Sequence, residues 1–359
     1  MRDLQLDFVR SVAIVLVVVN HAAEFVYKYN IKEMALLSQV DQIFAFSAFT
    51  FGRMGVPLFL MLSGYLLLPR KYDVPAIYRF WKRNWMPLLI TWEFWILFDY
   101  GLYAWLRNTP FDVQSWCYTA LFLKAVPNFG GFQWYMPMII GLYVFIPFVA
   151  CVLENTNGRV LLFPILLVFL CAFLYPNYSL LQNALHKGLG IGNKLDINFS
   201  GGAYGLYLLL GYGMYKGWFP LLRRRYALIA ILVMFAFTVV YQKVLYSINI
   251  KYNVWYNFST MPIIGLLLFI LIYRTKLPAC LHDFIISLSY RSFGIYLTHT
   301  LWNSVIQRFA PWIMVPDWIR PARVIIVFFV SFSVAYVFVY FTSKIPKVRR
   351  LLYTMKDLK

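Results

Sequence analysis

Ten stretches of this chain stay apolar for about 20 residues, the length a helix needs to cross a hydrocarbon layer about 30 Å thick. They run roughly over 8–27, 43–68, 85–106, 132–153, 160–176, 201–217, 226–247, 257–273, 284–307 and 322–342. In lipid, backbone polar groups must be satisfied inside the segment, so such runs fold as helices. The 359 residues are 62% hydrophobic and 13% charged, against roughly 45–50% and about 25% in soluble domains. A soluble or disordered chain is thereby excluded. The expectation is an all-α polytopic membrane bundle of about ten transmembrane helices, forming one domain over 1–359. The apolar stretch Trp116–Val126 is too short to span and reads as interfacial or re-entrant, while 177–200 reads as the longest loop. Arg2, Arg10 and the run Ser11–Val19 have the outline of a signal peptide. Because many spans follow, the segment reads as an uncleaved first helix.

The net charge of +19 admits two kinds of partner, nucleic acid or the anionic inner face of a membrane. With the N-terminus placed inside, 20 of the 33 Lys and Arg residues fall in cytoplasmic segments and 11 in outer loops. That bias orients both termini to the cytoplasm. Spread along membrane flanks rather than one face, the charge speaks against nucleic acid. The four cysteines have no paired spacing, and neither a disulfide framework nor a metal site is expected.

Ionisable groups at bilayer depth are costly and mark function by default. Here they are Asp7, Arg10, His21, Glu24, Arg53, Glu93, Asp99, Arg291 and His299. Arg10 and His21 are eleven residues apart, within about 20° of three full helical turns and about 16 Å along the axis. Asp7 at i−3 from Arg10 and Glu24 at i+3 from His21 lie near the same face. One stripe therefore carries Asp–Arg near the cytoplasmic edge and His–Glu past the midplane. It suits an anionic ligand that enters from the cytoplasm and extends an arm inward. The structural alternative is that Asp7 pairs with a snorkelling Arg10 while His21 bonds a neighbouring helix.

Four further stretches each carry two readings. Arg79, Lys82 and Arg83 form a cationic face where the third span begins, suited to phosphate or to simple positive-inside anchoring. Arg53 and the Gly- and Pro-containing run Gly55–Tyr65, which includes Ser63, could line a cavity or pack closely. Gln133-Trp134-Tyr135-Met136-Pro137 opens the fourth span, at a site or in an aromatic belt. Ser292–His299 ends in a histidine that could serve a site or bond between helices. Gly188-Leu189-Gly190-Ile191-Gly192 follows no strand and is not read as a nucleotide motif.

Taken in order, these stretches resemble the acyltransferase 3 family of integral membrane acyltransferases. The matching residues are Leu6–Ile14 followed by His21; Val56–Phe59 running to Leu62–Tyr65; the basic approach to Pro87; Trp134-Tyr135 running to Gly141-Leu142-Tyr143; and Phe293–Leu297 running to His299. The resemblance implies a ten-helix bundle that moves an acyl group, commonly acetyl, from cytoplasmic acyl-CoA to a hydroxyl of a surface or lipid-linked glycan. The chain is similar to the short enterobacterial surface-glycan O-acetyltransferases. By this resemblance His21 is the catalytic histidine, Arg10 with Arg79, Lys82 and Arg83 serves the coenzyme A side, and Trp134 lines the acceptor side. Tyr135, Ser63 and His299 stand in the same matched stretches and are assigned with Trp134 to substrate binding. Where the family shows Arg-x-x-Arg, this chain has Arg79-x-x-Lys82 with Arg83 beside it. Lys offers a point charge where Arg offers a fork.

Acyl transfer to an alcohol needs a base for the hydroxyl proton, a role a neutral imidazole fits at neutral pH. Glu24 could orient that ring, and Asp7 reads as a structural ion pair. An extended pantetheine arm is on the order of 15–20 Å long, close to the Arg10–His21 rise. No tightly bound cofactor is expected, only acetyl-CoA or another acyl-CoA as donor. The competing reading is a transporter or flippase for a glycan or lipid precursor, with Arg53, Glu93 and Asp99 marking a path.

Overall fold

The computed structural model describes residues 2–124, 134–155, 162–184, 202–219, 222–309 and 320–354, and among them every regular element is helical. In chain order the helices are α1 (Leu4–Val26), α2 (Ile31–Ala35), α3 (Gln39–Arg53), α4 (Gly55–Leu67), α5 (Val74–Phe80), α6 (Met86–Arg107), α7 (Val113–Ala120) and α8 (Tyr135–Glu154). They continue as α9 (Leu162–Phe169), α10 (Tyr175–Ala184), α11 (Gly202–Tyr215), α12 (Arg224–Ser247), α13 (Thr260–Tyr273), α14 (His282–Phe309), α15 (Arg320–Thr342) and α16 (Pro346–Tyr353).

Among the described residues, six segments are long and apolar enough to cross a membrane: Leu4–Val26, Gln39–Leu67, Tyr135–Glu154, Phe163–Gln182, Arg224–Ser247 and Arg320–Thr342. The other four expected spans are helices as well, but of a different kind. α11 and α13 have 14 residues each, about 21 Å of rise. α6 and α14 are long enough, yet carry Glu93 and Asp99, and Arg291 and His299. One expectation needs correction. Residues 177–184, read as loop, continue the preceding helix through a π-helical turn at Leu170–Leu174. The wider turn carries the ladder up to Tyr175, so Pro176 falls in the first turn of α10, where a missing N–H does little harm. Residues 185–201, including the glycines at 188–192, lie outside the described residues, as do 125–133. Of the stretch Trp116–Val126, the described part ends α7 and turns back at Phe122, whose φ is 59°.

α1 is the axis of the fold. It begins where the Asp3 carboxylate accepts the backbone N–H groups of Gln5 and Leu6, and it touches α3, α4, α13, α14 and α15. Two features of the neighbouring α3–α4 segment set the site. Pro57 cannot donate to the carbonyl of Arg53, and the helix breaks at Met54. Beside that break a Cβ on Gly52 would fall 2.5 Å from the Asn20 backbone, so α3 approaches α1 at the level of Asn20 and His21. Further along, α4 and α11 meet backbone to backbone. A Cβ on Gly64 would sit 1.9 Å from the Leu208 carbonyl oxygen, and one on Gly211 1.9 Å from that of Met61.

Candidate functional site

A chain of polar side chains runs from the last two turns of α1 into the segment before α13. His21 Nδ1 lies 2.7 Å from Glu24 Oε2, and the other carboxylate oxygen accepts from Arg53 Nη2 at 2.8 Å. Arg53 Nη1 donates to the Tyr256 hydroxyl at 3.1 Å. The Arg53 guanidinium, buried, sits 4.5 Å from the Phe49 ring centroid and 4.6 Å from that of Trp255. Its position is therefore fixed by an ion pair, a hydrogen bond and two aromatic faces. A carboxylate can only accept, so it holds the proton on His21 Nδ1 and leaves the Nε2 lone pair as the basic face of the ring.

His299 packs against this histidine, with ring centroids 5.1 Å apart. Its Nδ1 donates to the carbonyls of Tyr296 at 2.7 Å and Ile295 at 3.1 Å. His299 Nε2 is buried without a hydrogen-bond partner. Both α14 and α1 thus present an imidazole acceptor nitrogen to the same region of the bundle.

Two neighbouring cavities lie along α1 between Arg10 and His21. The larger, about 280 Å³, has Arg10, Arg70, Ser63, Tyr135 and Tyr143 among its walls, with Phe59 and Leu88 as apolar lining. The smaller, about 10 Å³ and no more than about one water in size, is lined by His21, Asn20, Trp134 and Tyr256. The two share Val17, Val56, Tyr135 and Tyr296, so one wall passes from the guanidinium of Arg10 to the imidazole of His21. Arg10 is held by Asp7 at 3.6 Å and donates to Ser289 Oγ at 3.2 Å, while Ser289 in turn donates to Asp7. Arg2 also pairs with Asp7. Asp7 is buried and faces three donors, which makes it the tie between α1 and α14.

Ser63 meets the Tyr143 hydroxyl at 3.2 Å on the cavity wall. Trp134 stands in an aromatic group, with centroids 4.9 Å from Tyr256, 5.0 Å from Trp255 and 5.8 Å from Tyr204. Tyr135 crosses Tyr296 at 5.3 Å. Gln133 lies outside the described residues. The basic stretch is placed differently. Arg79, Lys82 and Arg83 are all exposed and line neither cavity, and Arg79 sits 3.7 Å from Asp73. A π-helical turn at Trp81–Trp85 aims the two indoles at α8, where Trp81 and Trp85 donate to the carbonyls of Val144 and Ile140.

Sequence reasoning passed over three site residues. Arg70 belongs to no motif, Tyr143 stands only at the end of the Gly141-Leu142-Tyr143 match, and Tyr256 carries no signal in the sequence. Arg53 was flagged for its charge, but its partner Glu24 lies on another helix. Glu93 and Asp99 line neither cavity, and Asp99 Oδ2 is buried without a hydrogen-bond partner.

The acyltransferase 3 family model, described as an acyltransferase domain, matches residues 3–340, nearly the whole chain. The chain belongs to the acyltransferase 3 family. Comparison with curated proteins and with solved structures found no match. The match of this membrane acyltransferase to its family takes in both cavities apart from Thr354. The arrangement in it provides an oriented imidazole, a cation on the adjoining cavity, and aromatic side chains lining the same small cavity as the imidazole.

Proposed function

We propose that the protein is an O-acetyltransferase of the cell inner membrane, moving an acyl group from cytoplasmic acetyl-CoA to a hydroxyl of a surface or lipid-linked glycan. The bundle crosses the bilayer ten times with both termini inside, so Arg10 faces the cytoplasm and His21 lies past the midplane. The observation that carries the reading is the wall shared by the two cavities, with a cation at one end and the Glu24-bound His21 at the other.

Donor phosphates meet Arg10 and Arg70, with the exposed Arg79, Lys82 and Arg83 supplying the surrounding positive field. The pantetheine arm runs along Ser63, Tyr143 and Tyr135, and the thioester reaches the ring. The acceptor sugar rests against Trp134. His21 Nε2 takes the hydroxyl proton as the oxygen forms its bond to the thioester carbon. Glu24 balances the imidazolium, and Arg53 holds Glu24 in place. The carbon–sulfur bond then breaks, and the thiolate leaves with the proton returned by His21. His299 packs behind the ring and keeps it from rotating. Acyl groups cross the membrane by this route on the donor's own arm.

The test is transfer by purified protein in lipid nanodiscs, with glycan mass as the readout. The expected product gains one acetyl group, and His21→Ala lowers the rate by about 10²–10⁴-fold, the ordinary contribution of a general base. Transfer undiminished in His21→Ala would remove that residue from the mechanism.

A further inference from the structure

The small cavity beside His21, about 10 Å³, has room for one atom the size of an oxygen. Tyr135 and Tyr296 stand on the side it shares with the larger cavity, while Tyr256 stands on lining that the small cavity alone has. The Tyr256 hydroxyl accepts from Arg53 Nη1 at 3.1 Å, and among the described residues no group accepts its own proton. A phenol has one proton to give, so this is a donor without a protein acceptor, on the wall of the space that His21 lines. The guanidinium polarises the O–H bond and makes it the stronger donor. Asn20 Oδ1, buried without a partner at the same cavity, is itself an acceptor and cannot hold a carbonyl oxygen. Tyr256 is also fixed in place. It is 3% exposed, although its segment is not helical. Its carbonyl accepts from the Tyr207 hydroxyl at 2.6 Å, and the Phe258 N–H closes a turn on the Trp255 carbonyl at 3.0 Å. The Val254 N–H reaches Gln242 Oε1 at 2.9 Å. A donor held before substrate arrives costs no reorganisation when charge develops.

We infer that Tyr256 is a catalytic residue, whose hydroxyl donates to the thioester carbonyl oxygen and stabilises the oxyanion of the tetrahedral intermediate. The assignment rests on the acyl-transfer reading above. The larger cavity takes the pantetheine arm, and the carbonyl oxygen alone enters the smaller one. As the acceptor oxygen bonds to the thioester carbon, its proton passes to His21 Nε2 and the carbonyl π pair moves onto oxygen. The Tyr256 O–H meets that negative charge, and its proton stays on the phenol. When the pair returns, the carbon–sulfur bond breaks and the thiolate takes the proton from His21. Arg53 is then a positioning residue with two duties. One of its nitrogens holds Glu24, which orients the base, and the other holds Tyr256 at the oxyanion. A single buried guanidinium thereby sets both the proton acceptor and the charge stabiliser.

The test joins transfer kinetics to isotope-edited infrared spectroscopy of acetyl-CoA, labelled with carbon-13 at the thioester carbonyl and bound to the full-length protein in nanodiscs. A hydrogen bond from Tyr256 lowers the carbonyl frequency on binding. Tyr256→Phe keeps the ring and its packing. It is expected to return the frequency to its free value and to lower kcat by about 10²–10³-fold, the ordinary loss of one oxyanion donor, with acetyl-CoA affinity unchanged. Incorporation of 3-fluorotyrosine in place of Tyr256 keeps the hydroxyl and makes it a stronger donor, so the frequency falls further. That arm reads the same contact without depending on how the Phe variant folds. One bound frequency in all three forms, an unaltered kcat for Tyr256→Phe, or recovery of the free frequency by Tyr135→Phe or Tyr296→Phe instead overturns the proposal. In each of those cases His21-dependent transfer persists and the acyl-transfer reading stands. Wild-type protein that neither binds nor consumes acetyl-CoA fails that reading, and the assignment of Tyr256 with it.

Discussion

Glu24 is the residue on which the polar chain turns, because its two oxygens accept from two different partners, His21 Nδ1 and Arg53 Nη2. Replacing it with Gln keeps the shape but removes the charge that faces the imidazolium. We expect Glu24→Gln to lower kcat by about tenfold or more, equivalent to about 1.4 kcal/mol, with acetyl-CoA affinity unchanged. Steady-state kinetics decide it, and an unaltered kcat would remove Glu24 from the reaction. The donor side offers a contrast between two arginines. Both are exposed, but Arg70 reaches the wall of the larger cavity, whereas Arg79 stands beside Asp73 and lines neither cavity. A charge-assisted hydrogen bond is worth about 1.5–3 kcal/mol, about 10–150-fold in affinity, while an exposed charge contributes about 0–1 kcal/mol. Arg70→Ala is therefore expected to weaken acetyl-CoA binding more than Arg79→Ala does, as measured by calorimetry. The reverse order would move the phosphates to the π-helical turn.

At the scale of elements, the site depends on two close approaches. The break at Met54 and the glycine at 52 let α3 carry Arg53 up to Glu24, and the Gly64–Gly211 contact seats α4, whose Ser63 and Leu62 line the larger cavity. Any side chain at Gly211 meets the Met61 backbone rather than a flexible tip. Gly211→Leu should separate α4 from α11, cost about 1–3 kcal/mol or more as overpacking, and lower thermal stability and acetyl-CoA binding together. A wild-type melting temperature for that variant would contradict the contact. α16 makes the other attachment of note. It docks on α6, where Thr91 and Trp95 donate to the Leu351 and Leu352 carbonyls, and Tyr353 pairs with Thr342. Thr354, just past its end, joins the wall of the larger cavity.

For the whole molecule, the separation between its two ends matters most. Arg10 and Arg70 line a cavity at one end, and His21 lies toward the other along α1. The proposed orientation, with both termini inside, puts Lys71 in the cytoplasm and Lys251 outside. Single cysteines at these exposed positions in a cysteine-free background test this. An impermeant maleimide should label Lys251→Cys in intact cells and Lys71→Cys only after permeabilisation; the opposite pattern inverts the proposed direction of transfer. The short α11 and α13 are packed against α4 and each other, so their neighbours rather than their own length place them in the bundle.

Helical periodicity alone was enough to put Asp7, Arg10, His21 and Glu24 on one stripe, because spacing within a single helix is set by backbone geometry. Apolar run length likewise marked a helix in each of the ten stretches, and composition marked a membrane protein, since lipid permits few backbone solutions. What no local pattern carries is which side chain of another helix arrives at a given depth. Arg53 against Glu24, His299 against His21, Tyr256 at the end of the chain, and Arg70 rather than Arg79 on the cavity wall all depend on how helices distant in sequence cross. Those crossings are decided by close packing at Gly52, Gly64 and Gly211 and by the break before Pro57, and only the assembled bundle brings those contacts into being.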